Sequence, residues 1–245
     1  MLDEVVAVVG LGEVGRPLIS ILSRSYRCIG IDIEPAEIVP ACSVMHICIP
    51  FQVPMFVDTT CEYITKYKPR YTVINSTVAP GTTRAVSIQS GVSVAYSPVR
   101  GKHAKMEPDM LRYKKFVAAD DERVMDAVIK HFAGAGFSTD QFPSPEIGEL
   151  AKLLETTWLG VLVAWAQEVE RIAGQFGATY SDVNAFIEEI DFLPRIFPGV
   201  IGGHCVMPNI AILRSQLRSE FLDLIAEGNE AKSRRMASLK ETSGA

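Results

Sequence analysis

Val5-Val6-Ala7-Val8-Val9-Gly10-Leu11-Gly12-Glu13-Val14-Gly15 decides the fold. Five consecutive apolar residues with no alternation fit a strand buried on both faces. A GxGxxG follows at once, and a helical pattern runs on from Pro17 to Ser23. Strand, glycine turn and helix in that order open a βαβ unit that holds a dinucleotide. Each glycine has a physical reason. Gly10 permits the tight turn, Gly12 lets the backbone approach a pyrophosphate, and Gly15 lets helix and strand pack closely. The helix N-terminus offers unpaired N–H groups and partial positive charge to the phosphates. Arg27 to Asp32 reads as the second strand, and Asp32 follows Gly15 by seventeen residues, where an acidic side chain meets a ribose. Asp32, with Glu34 nearby, repels a 2′-phosphate, so NAD is favoured over NADP.

Working outward, Val44–Ile49, Thr72–Asn75, Val92–Tyr96 and Phe116–Ala119 read as further strands. Phe56–Lys66 and Arg123–Ala133 read as helices. The alternation predicts an α/β, Rossmann-type doubly wound parallel sheet covered on both faces. The pattern changes near Phe142-Pro143, which sets a boundary between an NAD-binding domain, 1–142, and an all-α domain, 143–245. Ser144 can cap a helix whose first residue is Pro145. Apolar residues then recur at helical spacing from Ile147 to Phe176, about thirty residues or roughly 45 Å. Shorter helices are expected over 181–190 and 210–226, separated by a Pro- and Gly-rich loop, 194–208. The polar tail after Gly228 is expected to fray.

Composition excludes several classes. The 245 residues are 48% hydrophobic, with 24 basic and 29 acidic side chains and a net charge of −5. No basic excess points to nucleic acid. The longest apolar runs, about nine residues, are too short to cross a bilayer. The N-terminus lacks a basic leader and a cleavage site. Five cysteines without CxxC spacing argue against disulfides and zinc, and imply a reducing cytoplasm. The four histidines have no metal-ligand spacing. Cys28, Cys42, Cys48 and Cys61 read as core, and Trp158, Leu162 and Trp165 as core or dimer interface.

Later segments carry a resemblance: Cys48-Ile49-Pro50, Asn75-Ser76-Thr77-Val78-Ala79-Pro80-Gly81-Thr82-Thr83, Ser97-Pro98-Val99-Arg100, Glu149 to Thr157, and Pro198 to Cys205. In this order the chain resembles the nucleotide-sugar 6-dehydrogenases, the UDP-glucose, GDP-mannose and UDP-N-acetylmannosamine family. The resemblance implies an NAD-dependent oxidoreductase that takes an alcohol group of a nucleotide sugar, or a related small substrate, toward the acid by two hydride transfers. A cysteine thiolate captures the aldehyde as a thiohemiacetal. Cys205 matches that nucleophile, Lys152 the helix lysine that stabilises an oxyanion, and Thr77 the threonine near the nicotinamide. The coenzyme set is then Gly10, Gly12, Glu13, Val14, Gly15 and Asp32, with Pro50 and Thr77 at later strand ends. Arg100, Thr156, His204 and Asn209 fall where substrate is bound, and the long helix implies a homodimer. The family's third, nucleotide-binding domain is expected to be missing.

The chain departs from the family pattern at three positions. Thr156 replaces an asparagine, Asn209 an aspartate and Val99 a glutamate. Two of these remove carboxylates that handle protons, a role worth about 10²–10⁴ in rate. Two other readings stay open: an NAD-binding protein of this fold that has lost full oxidation, and a dehydrogenase of the β-hydroxyacid or 6-phosphogluconate type, which needs no cysteine. Arg100, Lys102 and His103 form a basic cluster that binds a substrate anion or is a solvated loop. His204 reads as a loop packing residue rather than a base, and Lys152 has the plainer alternative of a solvated lysine paired with Glu149 or Glu155.

Overall fold

The computed structural model describes residues 5–33, 42–102 and 105–243. Glu34 and His103 lie outside them. Two compact units divide at Lys152–Leu153, within the long helix and beyond Phe142-Pro143. The helix's first turns pack with the N-terminal unit for a local reason: a side chain on Gly148 would strike Phe142 and Tyr96.

In the N-terminal unit, β1 (Val5–Val9), β2 (Arg27–Ile31), β3 (Val44–Ile47), β4 (Tyr71–Ile74) and β5 (Val94–Tyr96) form one sheet in the order β2-β1-β3-β4-β5. Every pairing is parallel. Alternate residues face opposite layers. Val6 and Val8 join one core with α1 (Gly15–Leu22), α4 (Met106–Arg112) and α5 (Glu122–Gly134). Ala7 and Val9 join the other, with α2 (Phe56–Tyr67) and α3 (Thr82–Ser90). The doubly wound sheet is therefore as the alternation implied.

Two details correct the sequence reading. Phe116 to Ala119 does not extend that sheet. β6 (Lys115–Val117) pairs in parallel with β7 (Thr139–Gln141), and a single antiparallel bridge, Tyr96 to Ala118, ties it to β5. The helices α3 and α4 and the strand β7 were not legible, because each is short and weakly periodic.

The chain order reverses between β1 and β3, and the glycine turn sits at that point. Gly10 donates its N–H to Ile31 O at 2.8 Å and holds φ at +87°. A Cβ there would lie 2.9 Å from the Cys48 backbone carbon. A Cβ on Gly15 would lie 1.8 Å from Gly10 O.

In the second unit, α6 (Pro145–Gln175) continues from the first, and Ser144 Oγ accepts the Ile147 N–H at 3.4 Å near its start. α7 (Tyr180–Ile187) starts on a capping box between Thr179 and Asp182. The single helix read over 210–226 is two, α8 (Val206–Gln216) and α9 (Glu220–Ser243). Leu217 is extended, and Ser219 restarts the helix by accepting the Leu222 and Asp223 N–H groups. The tail does not fray at Gly228, because buried Asn229 and the Lys232–Glu170 ion pair anchor α9 well beyond it. α8 crosses α6 at Gly160, where a side chain would meet Val206 and Ile210.

Gly15→Ala should cost at least about 2 kcal/mol, since backbone rather than a flexible side chain blocks the added methyl. A urea midpoint unchanged from wild type would contradict this packing.

Candidate functional site

In the N-terminal unit, the residues singled out at strand ends follow the carboxyl ends of β1 to β5. In open α/β sheets a ligand crevice lies there. Around Gly12 no atom comes within 4 Å of where a side chain would begin. Gly12 and Glu13 are exposed, Val14 is half-buried, and Val14 caps α1 without any side-chain hydrogen bond. A pyrophosphate would meet open backbone and an uncapped helix start, so these residues fit a dinucleotide. Asp32 follows β2 as an exposed residue whose carboxylate accepts the adjacent Ile33 N–H at 3.0 Å. Pro50 is exposed beyond β3.

The segment after β4 is tied on two sides. Ser76 Oγ donates to Ile49 O at 2.6 Å, joining it to the end of β3. Glu149, on α6, reaches it from above. Its carboxylate accepts the N–H groups of Gly81 at 2.6 Å and Thr83 at 2.7 Å, and the Thr83 hydroxyl at 2.6 Å. Gly81, at φ +93°, precedes α3 and has no side chain to cap it, so Glu149 supplies the cap from another helix. Burial pushes the Glu149 carboxyl up, against the pull of these three donors. Thr77 is half-buried in the segment so held. Lys152, three residues after Glu149, is half-buried on α6, and its charge acts on buried Lys115.

Of the basic cluster, Arg100 and Lys102 lie among the described residues. The Arg100 guanidinium lies 5.1 Å from the Phe116 ring centre and donates to Lys114 O at 3.0 Å. Lys102 is exposed, and Val99 is buried.

The other candidates belong to the second unit. Cys205 is exposed and occupies the cap position of α8. Pro208 falls in the first turn, where an N–H would have had no partner. The loop before Cys205 is anchored from beneath. Asn229 Oδ1 accepts the Ile201 N–H at 2.7 Å, its Nδ2 donates to Ile201 O at 3.0 Å, and Gln167 Nε2 donates to Gly199 O at 2.7 Å. His204 is exposed, whereas Thr156 and Asn209 are buried. Among the described residues no group of side chains could hold a metal ion, and no helix is long and apolar enough to cross a membrane.

Sequence reasoning missed Lys115, Asn229 and the role of Glu149, and it gave buried His46 no task. The signal for His46 was a polar residue inside an apolar strand run, which must find a partner when buried; Lys115, after Lys114 at the edge of its run, gave none.

No family model matches the chain. A UDP-N-acetyl-D-mannosamine dehydrogenase of Pyrococcus horikoshii is 25% identical over 163 residues, 61% of this chain and 38% of that enzyme. The chain thus spans well under half the length of the curated relatives it matches. A solved UDP-glucose dehydrogenase of Pyrobaculum islandicum superposes with a TM-score of 0.79 at 19% identity, covering 98% of this chain and 71% of the other. A 3-hydroxyisobutyrate dehydrogenase of Mycobacterium tuberculosis superposes with a TM-score of 0.68 at 13% identity, covering 97% and 94%. The chain therefore resembles nucleotide-sugar dehydrogenases in sequence over part of its length, and the fold is theirs.

Glu149→Ala strands two backbone N–H groups and a hydroxyl. The expected loss is about 3 kcal/mol in urea unfolding, with Glu149→Gln losing less because one oxygen still accepts.

Proposed function

We propose that the chain is an NAD-dependent oxidoreductase acting on an alcohol group of a nucleotide sugar or related small substrate, with Cys205 as covalent nucleophile. The observation that carries this reading is the glycine turn at the point where the strand order reverses, with open space over Gly12. The names of the partial relatives give the substrate class.

The bound nicotinamide would accept the hydride. Gly10, Gly12 and Gly15 let the pyrophosphate approach, Glu13 and Val14 present the start of α1, Asp32 takes the ribose hydroxyls, and Pro50 and Thr77 bound the crevice. Lys152 stabilises the negative charge that develops on the substrate oxygen as the C–H bond breaks. Cys205, at a helix start where negative charge is favoured, supplies the thiolate that adds to the aldehyde carbon. Arg100, Thr156, His204 and Asn209 are proposed as weaker substrate contacts. Arg100 gives one guanidinium N–H to Lys114 O and has others to offer an anion.

A second reading has its own observation: Val99 and Asn209 are buried where the resemblance calls for carboxylates. A protein that holds NAD without completing the oxidation would look like this.

A panel of nucleotide sugars with NAD, followed by NADH absorbance, tests the proposal. Turnover is expected with at least one sugar, and Cys205→Ser should lose it. Gly12→Ala should leave the melting temperature unchanged and weaken NAD binding about tenfold or more, roughly 1.4 kcal/mol. NAD binding without turnover on any sugar would favour the second reading. Turnover untouched by Cys205→Ser would favour a β-hydroxyacid type of chemistry.

We also propose a homodimer through α6. Trp158 and Trp165 are 63% and 61% exposed. Trp165 shares a largely apolar groove of about 630 Å³ with Val161, Phe221 and Leu224. Exposed apolar patches of this kind mark interaction surfaces. Light scattering at micromolar concentration should give a dimer, and Trp165→Glu should shift it toward monomer.

A further inference from the structure

Two buried amide side chains of the second unit hold the loop that ends in Cys205, and neither has a part in the proposed chemistry. Gln167, on α6, and Asn229, on α9, are each 7% exposed. Asn229 closes on both backbone groups of one residue: its Oδ1 accepts the Ile201 N–H at 2.7 Å, and its Nδ2 donates to Ile201 O at 3.0 Å. Gln167 Nε2 donates to Gly199 O at 2.7 Å and to Asn229 Oδ1 at 3.2 Å. Three residues further along both helices, the Glu170–Lys232 ion pair ties α6 to α9 again.

The backbone dictates which way each amide points. An N–H only donates and a carbonyl only accepts, so Asn229 turns its oxygen to the first group of Ile201 and its nitrogen to the second. That oxygen and Gly199 O are both acceptors, so Gln167 must face them with its nitrogen and spends both of its N–H bonds there. Gln167 Oε1 is left buried without a hydrogen bond. A buried acceptor that goes unmet costs free energy. The side chain is therefore oriented by what its nitrogen holds, against the preference of its oxygen.

The other end of the loop is fixed by packing. Val206, the first residue of α8, is buried, and a Cβ on Gly160 of α6 would lie 2.8 Å from its Cγ1. Fully buried Ile210 meets the same glycine. Gly202, Gly203, His204 and Cys205 thus bridge two fixed points, Ile201 and Val206, and Gly203 makes the turn at φ +78°. His204 and Cys205 are exposed on that bridge. So short a span with both ends held has few conformations open to it.

We infer that Gln167 and Asn229 are positioning residues for Cys205: through the Gly199 and Ile201 backbone they keep the thiol in one place at the start of α8. The chemical task of Cys205 rests on the function proposed above. The holding rests only on the buried contacts. Addition of sulfur to an aldehyde carbon needs the two atoms near bonding distance before they react, so a loosened loop loses rate and leaves coenzyme binding intact.

A nitroxide spin label on Cys205 in the full chain tests this, with the spectrum of labelled Cys205→Ser subtracted. The wild type should give a broad, motionally restricted line. Asn229→Leu keeps the volume but bonds neither group of Ile201, and Gln167→Met releases Gly199. Both should narrow the line at temperatures where circular dichroism still shows native helix content. Hydrogen-exchange protection of the Ile201 amide should fall about tenfold or more in Asn229→Leu. In the NADH assay, Asn229→Leu should lower kcat by about tenfold to a hundredfold and leave the KM for NAD unchanged. Wild-type line shapes in both variants would overturn the proposal whatever their melting temperatures, because the amides would then serve packing alone. So would an unchanged kcat in Asn229→Leu. Should Asn229→Leu fail to fold, Gln167→Met decides by the same line shape. If no sugar is turned over, or turnover survives Cys205→Ser, the proposed function fails while the spin label still decides whether the two amides hold Cys205.

Discussion

The backbone of the turn after β1 approaches the backbone that leaves β3 to within the distance of a missing side chain. Gly10 must be glycine twice over, once for its φ of +87° and once for the Cys48 and Ile49 atoms beside it. Gly15 must be glycine because the Gly10 carbonyl fills the space of its Cβ. These two constraints set how closely α1 meets the sheet. They also set which N–H groups point outward at the reversal of strand order, and the open position at Gly12 follows from them. The remaining strand-end segments are arranged around a turn that has almost no freedom to move.

Glu149 carries that arrangement to the start of α6. Its carboxylate stands in for the side chain that Gly81 lacks, and so binds the cap of α3 to a helix distant in sequence. One buried acid thereby satisfies α3's first N–H groups and fixes the segment that holds Thr77 relative to Lys152. The arrangement is demanding, because a buried carboxylate is stable only while its donors are in place. It also explains why the compact N-terminal unit includes the first turns of α6.

Much of this was legible in the sequence. The run Val5 to Val9, the glycines and the interval to Asp32 specify a doubly wound sheet, since a buried parallel strand, a turn and a helix each leave a local pattern. The long helix was legible for the same reason, from Ser144 and Pro145 onward. What was not legible depends on contacts between distant segments. The break at Leu217 is set by capping from Ser219, and the helical tail by burial of Asn229 against Ile201. The placement of β6 outside the main sheet follows from pairing with β7, which no local periodicity announces. At the site, residue types were legible and their partners were not: Glu149, like Glu155, looked like a partner for Lys152, yet its carboxylate serves the Gly81 and Thr83 N–H groups.

One of the departures from the family pattern, Val99, gains a physical context from Lys115. A carboxylate at position 99 would belong to the loop that Lys115 seats, close in sequence to the Ser97 and Pro98 carbonyls. With valine buried there, the amine is met by the Ser97 and Pro98 carbonyls and the Phe132 ring. Lys152 and Arg100 are half-buried cations at this end of the sheet. Val99 thus sits in a loop that the Lys115 amine holds through two backbone carbonyls, with no need of an acid at that position.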